Sequence, residues 1–320
     1  MGIIDTLSDG FSRVAKRPGL LILPIVVDLS LWLAPRLSVD SLLQRSMPSP
    51  ADVARLGQPY VQLFDASRAL LQDPQATTNL WSAFSLRAIG LSSLTGETVT
   101  AAPPWHAGPQ VIEIQSWTSA LVWSALLGLL SLFLAFFVLA LLAQVAREEG
   151  LGIIHALEVA ARSWARVTGT LVAGVVLLAV LGGGVVLAAL LLGALSSQLG
   201  NVVLSAFVVS ALWVSAYIGL IFFFFVRSVV LDDTGIRRSL WSALNVVHRN
   251  FFAVLIFVVL FAVIQTGLLL VWDVLAGSVA GTLVSIVGNA YINTGLVMGS
   301  LVFYRDRFVR LQEAAAKSRS

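Results

Sequence analysis

Six apolar runs without a single Lys or Arg decide most of what this 320-residue chain can fold into. They are Gly19–Pro35, Trp117–Ala143, Gly169–Leu195, Gly200–Val226, Phe251–Ala276 and Val279–Phe303. About 20 apolar residues in a helix cross the hydrocarbon core of a bilayer. A backbone with no water around it must satisfy its own hydrogen bonds, so runs of this kind become helices. The last five are 25 to 27 residues long; the first is the shortest and carries Pro24 and Asp28. The composition agrees. Charged residues make up 12% of the chain, against about 25% in soluble proteins, which is too little charge to clothe a soluble surface. The expected fold class is therefore all-α and integral to the membrane, with six transmembrane helices. A net charge of +3 gives no electrostatic case for nucleic acid, which is not an expected partner, and the absence of cysteine excludes disulfides and thiolate metal sites.

Charge sets the expected orientation. With both termini inside, the inner basic residues are Arg13, Lys16, Arg17, Arg147, Arg162, Arg166, Arg227, Arg237, Arg238, Arg249, Arg305, Arg307, Arg310, Lys317 and Arg319. The outer ones are Arg36, Arg45, Arg55, Arg68 and Arg87, all in one long loop. Long loops count little in the positive-inside rule. The expectation is a multi-pass protein of the cell membrane with both termini cytoplasmic. Trp32, Trp117 and Trp272 fall at outer span ends, and Trp164 and Trp241 at inner ones, as interfacial tryptophans do. The first span reads as an uncleaved anchor, since its charged lead is amphipathic and no small-x-small site follows Leu33.

Three inner stretches align without gaps: Gly2-Ile3-Ile4-Asp5-Thr6-Leu7, Gly152-Ile153-Ile154-His155-Ala156-Leu157 and Gly235-Ile236-Arg237-Arg238-Ser239-Leu240. Fourteen residues after each glycine stands a basic residue, Lys16, Arg166 or Arg249. A break is expected next, at Pro18-Gly19, Thr168-Gly169 and Asn250, and then a span begins. Each unit reads as an interfacial amphipathic helix followed by a transmembrane hairpin, three times in the same orientation. Ile153, Leu157, Ala160, Ala161 and Trp164 share one face in the second unit; Ile236, Leu240, Ala243, Leu244 and Val247 do so in the third. Such helices lie in the headgroup layer with arginine reaching anionic lipid, or pack under the spans. Lys16, Arg166 and Arg249 are the candidate lipid-headgroup contacts.

The domain plan follows. Residues 1–35 hold the first interfacial helix and first span, 36–116 an extracytoplasmic insertion, and 117–143 the second span. Residues 144–226 hold the second interfacial helix with two spans, 227–303 the third with two more, and 304–320 a cytoplasmic tail. The insertion is expected to be a small helical cap, with helices over Ala51–Leu56, Tyr60–Leu71 and Thr77–Leu91 and a strand-like run at Val111–Gln115. It is either packed on its own spans or a surface for a protein partner.

Polar residues within spans are functional candidates. Asp28, Gln265, Asn289, Tyr291 and Asn293 would form a midplane polar cluster if the first, fifth and sixth spans meet. The plainer reading is interhelical hydrogen bonding. Gly277, Gly281, Gly288, Gly295 and Gly299 step along the sixth span as a small-residue stripe for helix packing. No catalytic, metal-binding or cofactor-binding constellation stands out: His106, His155 and His248 are scattered, and no H-E-x-x-H or G-x-S-x-G motif is present. Arginine usage of 18 against two lysines points to a GC-rich prokaryote.

The junctions Phe11-Ser12-Arg13-Val14-Ala15-Lys16-Arg17-Pro18-Gly19-Leu20-Leu21 and Ser242-Ala243-Leu244-Asn245-Val246-Val247-His248-Arg249-Asn250-Phe251 resemble those of a broad group of bacterial and archaeal polytopic membrane proteins. That group includes the membrane domain associated with some glycerophosphodiester phosphodiesterases. The resemblance covers the three units and not the insertion. It implies a membrane fold; the soluble barrel of those enzymes has no counterpart here, so it implies no phosphodiesterase activity and transfers no functional residue. Two functions stay open: a non-enzymatic scaffold or accessory protein that organises partners or membrane lipid, and a small-solute transporter or channel using the midplane polar residues. The oligomeric state is not legible.

Overall fold

The computed structural model describes residues 2–49, 79–86 and 111–317, together with 53, 64, 65, 68, 89, 91, 93–95 and 101. Helix α1 spans Ile3–Ala15. A 3₁₀ turn, Pro18–Leu21, runs into α2, Ile22–Leu33. Then come strand β1 (Arg36–Ser38), α3 (Asp40–Ser46), a 3₁₀ turn at Leu80–Phe84 and strand β2 (Val111–Glu113). The long helices follow: α4 (Trp117–Ala146), α5 (Ile153–Leu195), α6 (Ser197–Asp232), α7 (Ile236–Arg249), α8 (Phe251–Leu275) and α9 (Val279–Lys317).

Among the described residues, α4, α5, α6, α8 and α9 are long and apolar enough to cross a membrane, so the chain is a helical multi-pass membrane protein. The helix found at the first expected span (Gly19–Pro35), Pro18–Leu33, is shorter than these five. Prolines set both its limits. Pro18 opens the 3₁₀ turn, and Ala34 is extended (φ −77°, ψ 151°) because the residue before Pro35 is kept out of the helical region.

The expected break at Thr168-Gly169 is not there. Helix α5 runs through it for 43 residues, and the Thr170 hydroxyl returns to the Arg166 carbonyl at 2.8 Å. A lone glycine costs a helix only about 1 kcal/mol, whereas a proline removes a donor and clashes. The break before Pro18 is real, and so is the one at Asn250, whose φ of −126° separates α7 from α8. The tail over 304–320 is also not a separate segment. No glycine or proline stands between Tyr304 and Lys317, and α9 continues to Lys317, the last described residue.

The glycines at the head of the three aligned stretches each begin a helix. Their carbonyls accept the amide four residues on: Thr6 to Gly2 at 3.1 Å, Ala156 to Gly152 at 2.9 Å and Ser239 to Gly235 at 3.0 Å. These three acceptor partners are small and buried, as are Gly10, Ala160 and Ala243 four residues further. The faces that pack combine these small residues with Leu7, Val14, Val159, Val167, Val246 and Val247; of the expected stripes, Ala160, Ala243 and Val247 are buried. Ile153, Leu157, Ile236 and Leu240 are exposed.

The insertion is not purely helical. β1 and β2 pair in parallel, Arg36 with Val111, Leu37 with Ile112 and Ser38 with Glu113. β1 carries Arg36 and Ser38 around Leu37 and has no apolar run to mark it, whereas β2 falls within the Val111–Gln115 run. The helices expected over Ala51–Leu56 and Tyr60–Leu71 lie, but for scattered positions, outside the described residues. Where a helix is expected over Thr77–Leu91, the described residues form one 3₁₀ turn, Leu80–Phe84. Asn79 caps it by accepting the Trp81 amide, Ser85 leaves the helical region at ψ 68°, and Leu86 bridges Leu91.

The chain forms two compact units. One comprises Met1–Ala15, Leu139–Val263 and Gly295–Ser320; the other comprises Lys16–Val138 and Ile264–Thr294. An aromatic core fills the first: Phe257 stacks on Phe303 with centroids 4.6 Å apart, and Phe224 lies 5.7 Å from Phe303. In the second, Trp32, Leu94 and Ile286 pack with Leu29 and Trp272, and a separate cluster gathers Val39, Leu42, Ile114 and Ala120. Trp32 is thus a core residue rather than an interfacial anchor. It is 7% exposed, and its indole N–H donates to the Ala101 carbonyl at 2.7 Å.

Candidate functional site

A carboxylate on an apolar helix must find donors or be costly to bury. Asp28 is 1% exposed on α2, and its donors come from the insertion. Ser93 Oγ donates to Oδ1 at 2.6 Å, the Leu94 amide to Oδ2 at 3.1 Å, and the Thr95 amide and hydroxyl to Oδ1 at 3.3 and 3.1 Å. The Thr95 hydroxyl also reaches the Asp28 carbonyl at 3.2 Å. Residues 93–95 wrap the carboxylate as a loop wraps an anion, and they clasp the insertion to α2. Sequence spacing could not find them, because 65 residues separate Ser93 from Asp28.

The other members of the expected midplane cluster form a ladder. Gln265 Nε2 donates to Asn293 Oδ1 at 2.6 Å, and Asn293 Nδ2 donates to Asn289 Oδ1 at 2.6 Å and to its carbonyl at 2.9 Å. Gln265, Asn289 and Asn293 are buried, while Tyr291 is half-buried. Gln265 and Asn293 join α8 to α9, and the 289/293 pair follows from helical i, i+4 spacing.

By position Arg227 is an ordinary flanking charge just beyond the fourth span. It lies within α6 and is wholly buried. Its guanidinium stands 3.6 Å from the centroid of the Phe223 ring, Nε donates to Ser300 Oγ at 3.0 Å and Nη1 to the Phe223 carbonyl at 2.8 Å. Five residues on, Asp232 accepts the Tyr304 hydroxyl at 2.8 Å and the Ser228 hydroxyl at 3.0 Å.

Many of the remaining arginines serve helix ends, whose last carbonyls have no intrahelical partner. At the end of α4, Arg13 reaches the Val145 carbonyl at 3.4 Å and Arg305 reaches that of Ala146; Arg147 donates to the Leu231 carbonyl near the end of α6 at 2.9 Å. Asp233 takes a left-handed conformation (φ 42°) after α6. Its carboxylate grips Arg162 at 2.8 Å and Arg166 at 3.0 Å, and Arg166 also donates to the Thr234 carbonyl. Of the three candidate headgroup contacts, Arg166 is engaged by protein, whereas Lys16 and Arg249 are exposed.

The five glycines of the sixth span do not share one partner. A Cβ on Gly295 would overlap the Phe11 ring, and one on Gly299 would meet Leu7 of α1. Gly288 receives the ring of Trp272, Gly281 sits against the Leu275 carbonyl at the α8–α9 turn, and Gly277 is unencumbered. The glycine that faces Gly295 and Gly299 is Gly10, where a Cβ would stand 2.5 Å from the Gly299 nitrogen. Among the described residues no group of three or more His, Asp or Glu side chains is placed to hold a metal ion.

Comparison of the chain with protein-family models, with curated proteins and with solved structures gives no match.

Proposed function

We propose that this protein is a non-enzymatic membrane scaffold or accessory protein that organises partners or lipid. The observation that carries this reading is how the polar groups are used. Asp28, Gln265, Asn289, Asn293 and Asp232 bond to neighbouring protein groups, while α7 turns apolar and basic residues outward together. Polar groups bonded to one another hold helices together; a transport path needs some of them to face water.

The three aligned stretches are read here as parallel repeats, which the shared glycine start and the matching buried small residues support. The six-span arrangement with both termini cytoplasmic keeps Pro18–Leu33 as a crossing. Its four 3₁₀ residues at about 2.0 Å and twelve helical residues at about 1.5 Å reach about 26 Å. That is roughly one turn short of the ~30 Å core, a mismatch that local thinning accommodates. On this topology the insertion faces outward and is the surface for a partner, and the resemblance to phosphodiesterase-associated membrane domains extends to architecture only.

The test is copurification in mild detergent, with proteins and lipids identified by mass spectrometry. Stoichiometric recovery of a second protein that is lost when 39–110 is replaced by a short linker is the expected result. Recovery of the isolated chain with lipid in bulk proportion, or solute flux in proteoliposomes, overturns the reading.

A further inference from the structure

Helices α5 and α6 leave a groove between them of about 660 Å³. Its walls are apolar: Gly174, Leu178 and Gly182 from α5, Val214 and Gly219 from α6, with Leu240 of α7 at one end. A Cβ at Gly174, Gly182 or Gly219 would meet no atom within 4 Å, so these positions leave room that any larger residue would fill. The groove follows α5 from Thr170 to Gly182, twelve residues or about 18 Å. One leaflet of hydrocarbon is about 15 Å deep.

Leu240 also borders a second recess, formed by Arg237, Arg238, Trp241 and Leu244 on α7. Trp241 is 65% exposed there, and both arginines are exposed. The nearby carboxylates are already engaged, Asp232 by Ser228 and Tyr304, and Asp233 by Arg162 and Arg166. Arg238 feels the charge of Asp232 at a distance. Two cations in the first turn of a helix also stand at the positive end of its dipole, where arginine is disfavoured and an anion favoured. A local rule broken on an exposed surface marks a place where something else supplies the compensation.

We propose that these two recesses are one site for an anionic glycerophospholipid. Its phosphate lies on Arg237 and Arg238, its backbone beside Trp241, and one acyl chain along the α5–α6 groove past Leu240. The site rests on the reading of α7 as an interfacial helix. It differs from annular lipid in demanding charge at one end and a chain-length groove at the other.

The full chain in mild detergent is titrated with long-chain phosphatidylglycerol, phosphatidylcholine of the same chains, dihexanoyl phosphatidylglycerol, and inorganic phosphate. Occupancy is read by native mass spectrometry and the thermal midpoint by intrinsic fluorescence. Long-chain phosphatidylglycerol binds and raises the midpoint; the other three do so weakly or not at all. Arg237→Gln with Arg238→Gln weakens binding about thirtyfold, each arginine being worth about fivefold at an anionic lipid surface. Gly219→Leu, which points into open space and preserves the fold, abolishes the advantage of the long chain. Equal binding of phosphatidylcholine, an equal response to phosphate alone, or full binding by both variants overturns the site. Unselective lipid binding with a protein partner still recovered defeats this site alone; selective phosphatidylglycerol binding with no partner defeats the partner-organising reading alone.

Discussion

Replacing Asp28 by asparagine removes almost no volume and keeps one carbonyl oxygen, yet it cannot serve the clasp. The Leu94 amide donates to one carboxylate oxygen and the Thr95 amide to the other. Backbone amides can only donate. Whichever way the asparagine is turned, its NH₂ faces one of them and leaves a buried donor without an acceptor. That orphan costs about 1–3 kcal/mol, and the surviving bonds weaken because they no longer meet a charged acceptor. The expected loss is about 2–4 kcal/mol, or about 3–6 °C in the midpoint for a chain of this size. Thermal unfolding in detergent measures the stability, and limited proteolysis reads whether residues near 93–95 come loose first. Asp28→Asn with an unchanged midpoint and unchanged nicking would refute the clasp and return Asp28 to the role of a replaceable helix contact. Ser93→Ala removes one donor without orphaning another, so it is expected to cost less than Asp28→Asn.

Gly10→Ala places a methyl against the backbone of α9 at Gly299, an overpacking expected to destabilise by about 1–3 kcal/mol; Gly183→Ala, with open space around it, should stabilise α5 by up to about 1 kcal/mol. A double-mutant cycle with Gln265→Leu and Asn293→Leu should return a coupling of about 0.6–1.7 kcal/mol, as interhelical hydrogen bonds in membranes do, and a value near zero would break the ladder. Arg227→Met keeps the stacking volume over Phe223 while removing a buried charge that has no carboxylate partner among the contacts described, so stability should hold within about 1 kcal/mol or rise, whereas Arg227→Ala should lose about 2–5 kcal/mol to the cavity. Both are read by thermal unfolding in the same detergent.

Hydrophobic runs are long enough in the sequence to locate α4 and α8 within a few residues, and the starts of α6 and α9, because hydrocarbon imposes a length that composition alone reveals; α6 and α9 run six and fourteen residues past the expected ends. Breaks were less legible. Prolines announced the ends of α2, but Thr168-Gly169 looked like a boundary and is not one, since only tertiary context decides whether a single glycine interrupts a helix. The candidate site was visible by residue type and hidden by partner. Asp28, Gln265, Asn289 and Asn293 stand out as polar groups in apolar runs; the donors at 93–95 sit in a polar insertion where nothing marks them. Arg227 was hidden for the opposite reason, since an arginine at a span end is expected and its complete burial cannot be read from position. The buried faces of α1, the start of α5 and α7 differ in part from the expected stripes, because the sequence ranks large apolar residues as buried while small residues and valines, with Leu7, pack there and Ile153, Leu157, Ile236 and Leu240 are exposed.

The uninterrupted path of α5 has a mechanical consequence. Ile153–Val167 and the apolar part that follows are one continuous helix, so this first arm, about 22 Å long, leans with the rest as a unit. A lean of about 10° would sweep its far end through about 4 Å. Between α7 and α8 the helix is interrupted at Asn250 (φ −126°), so no single helix couples that arm to its span.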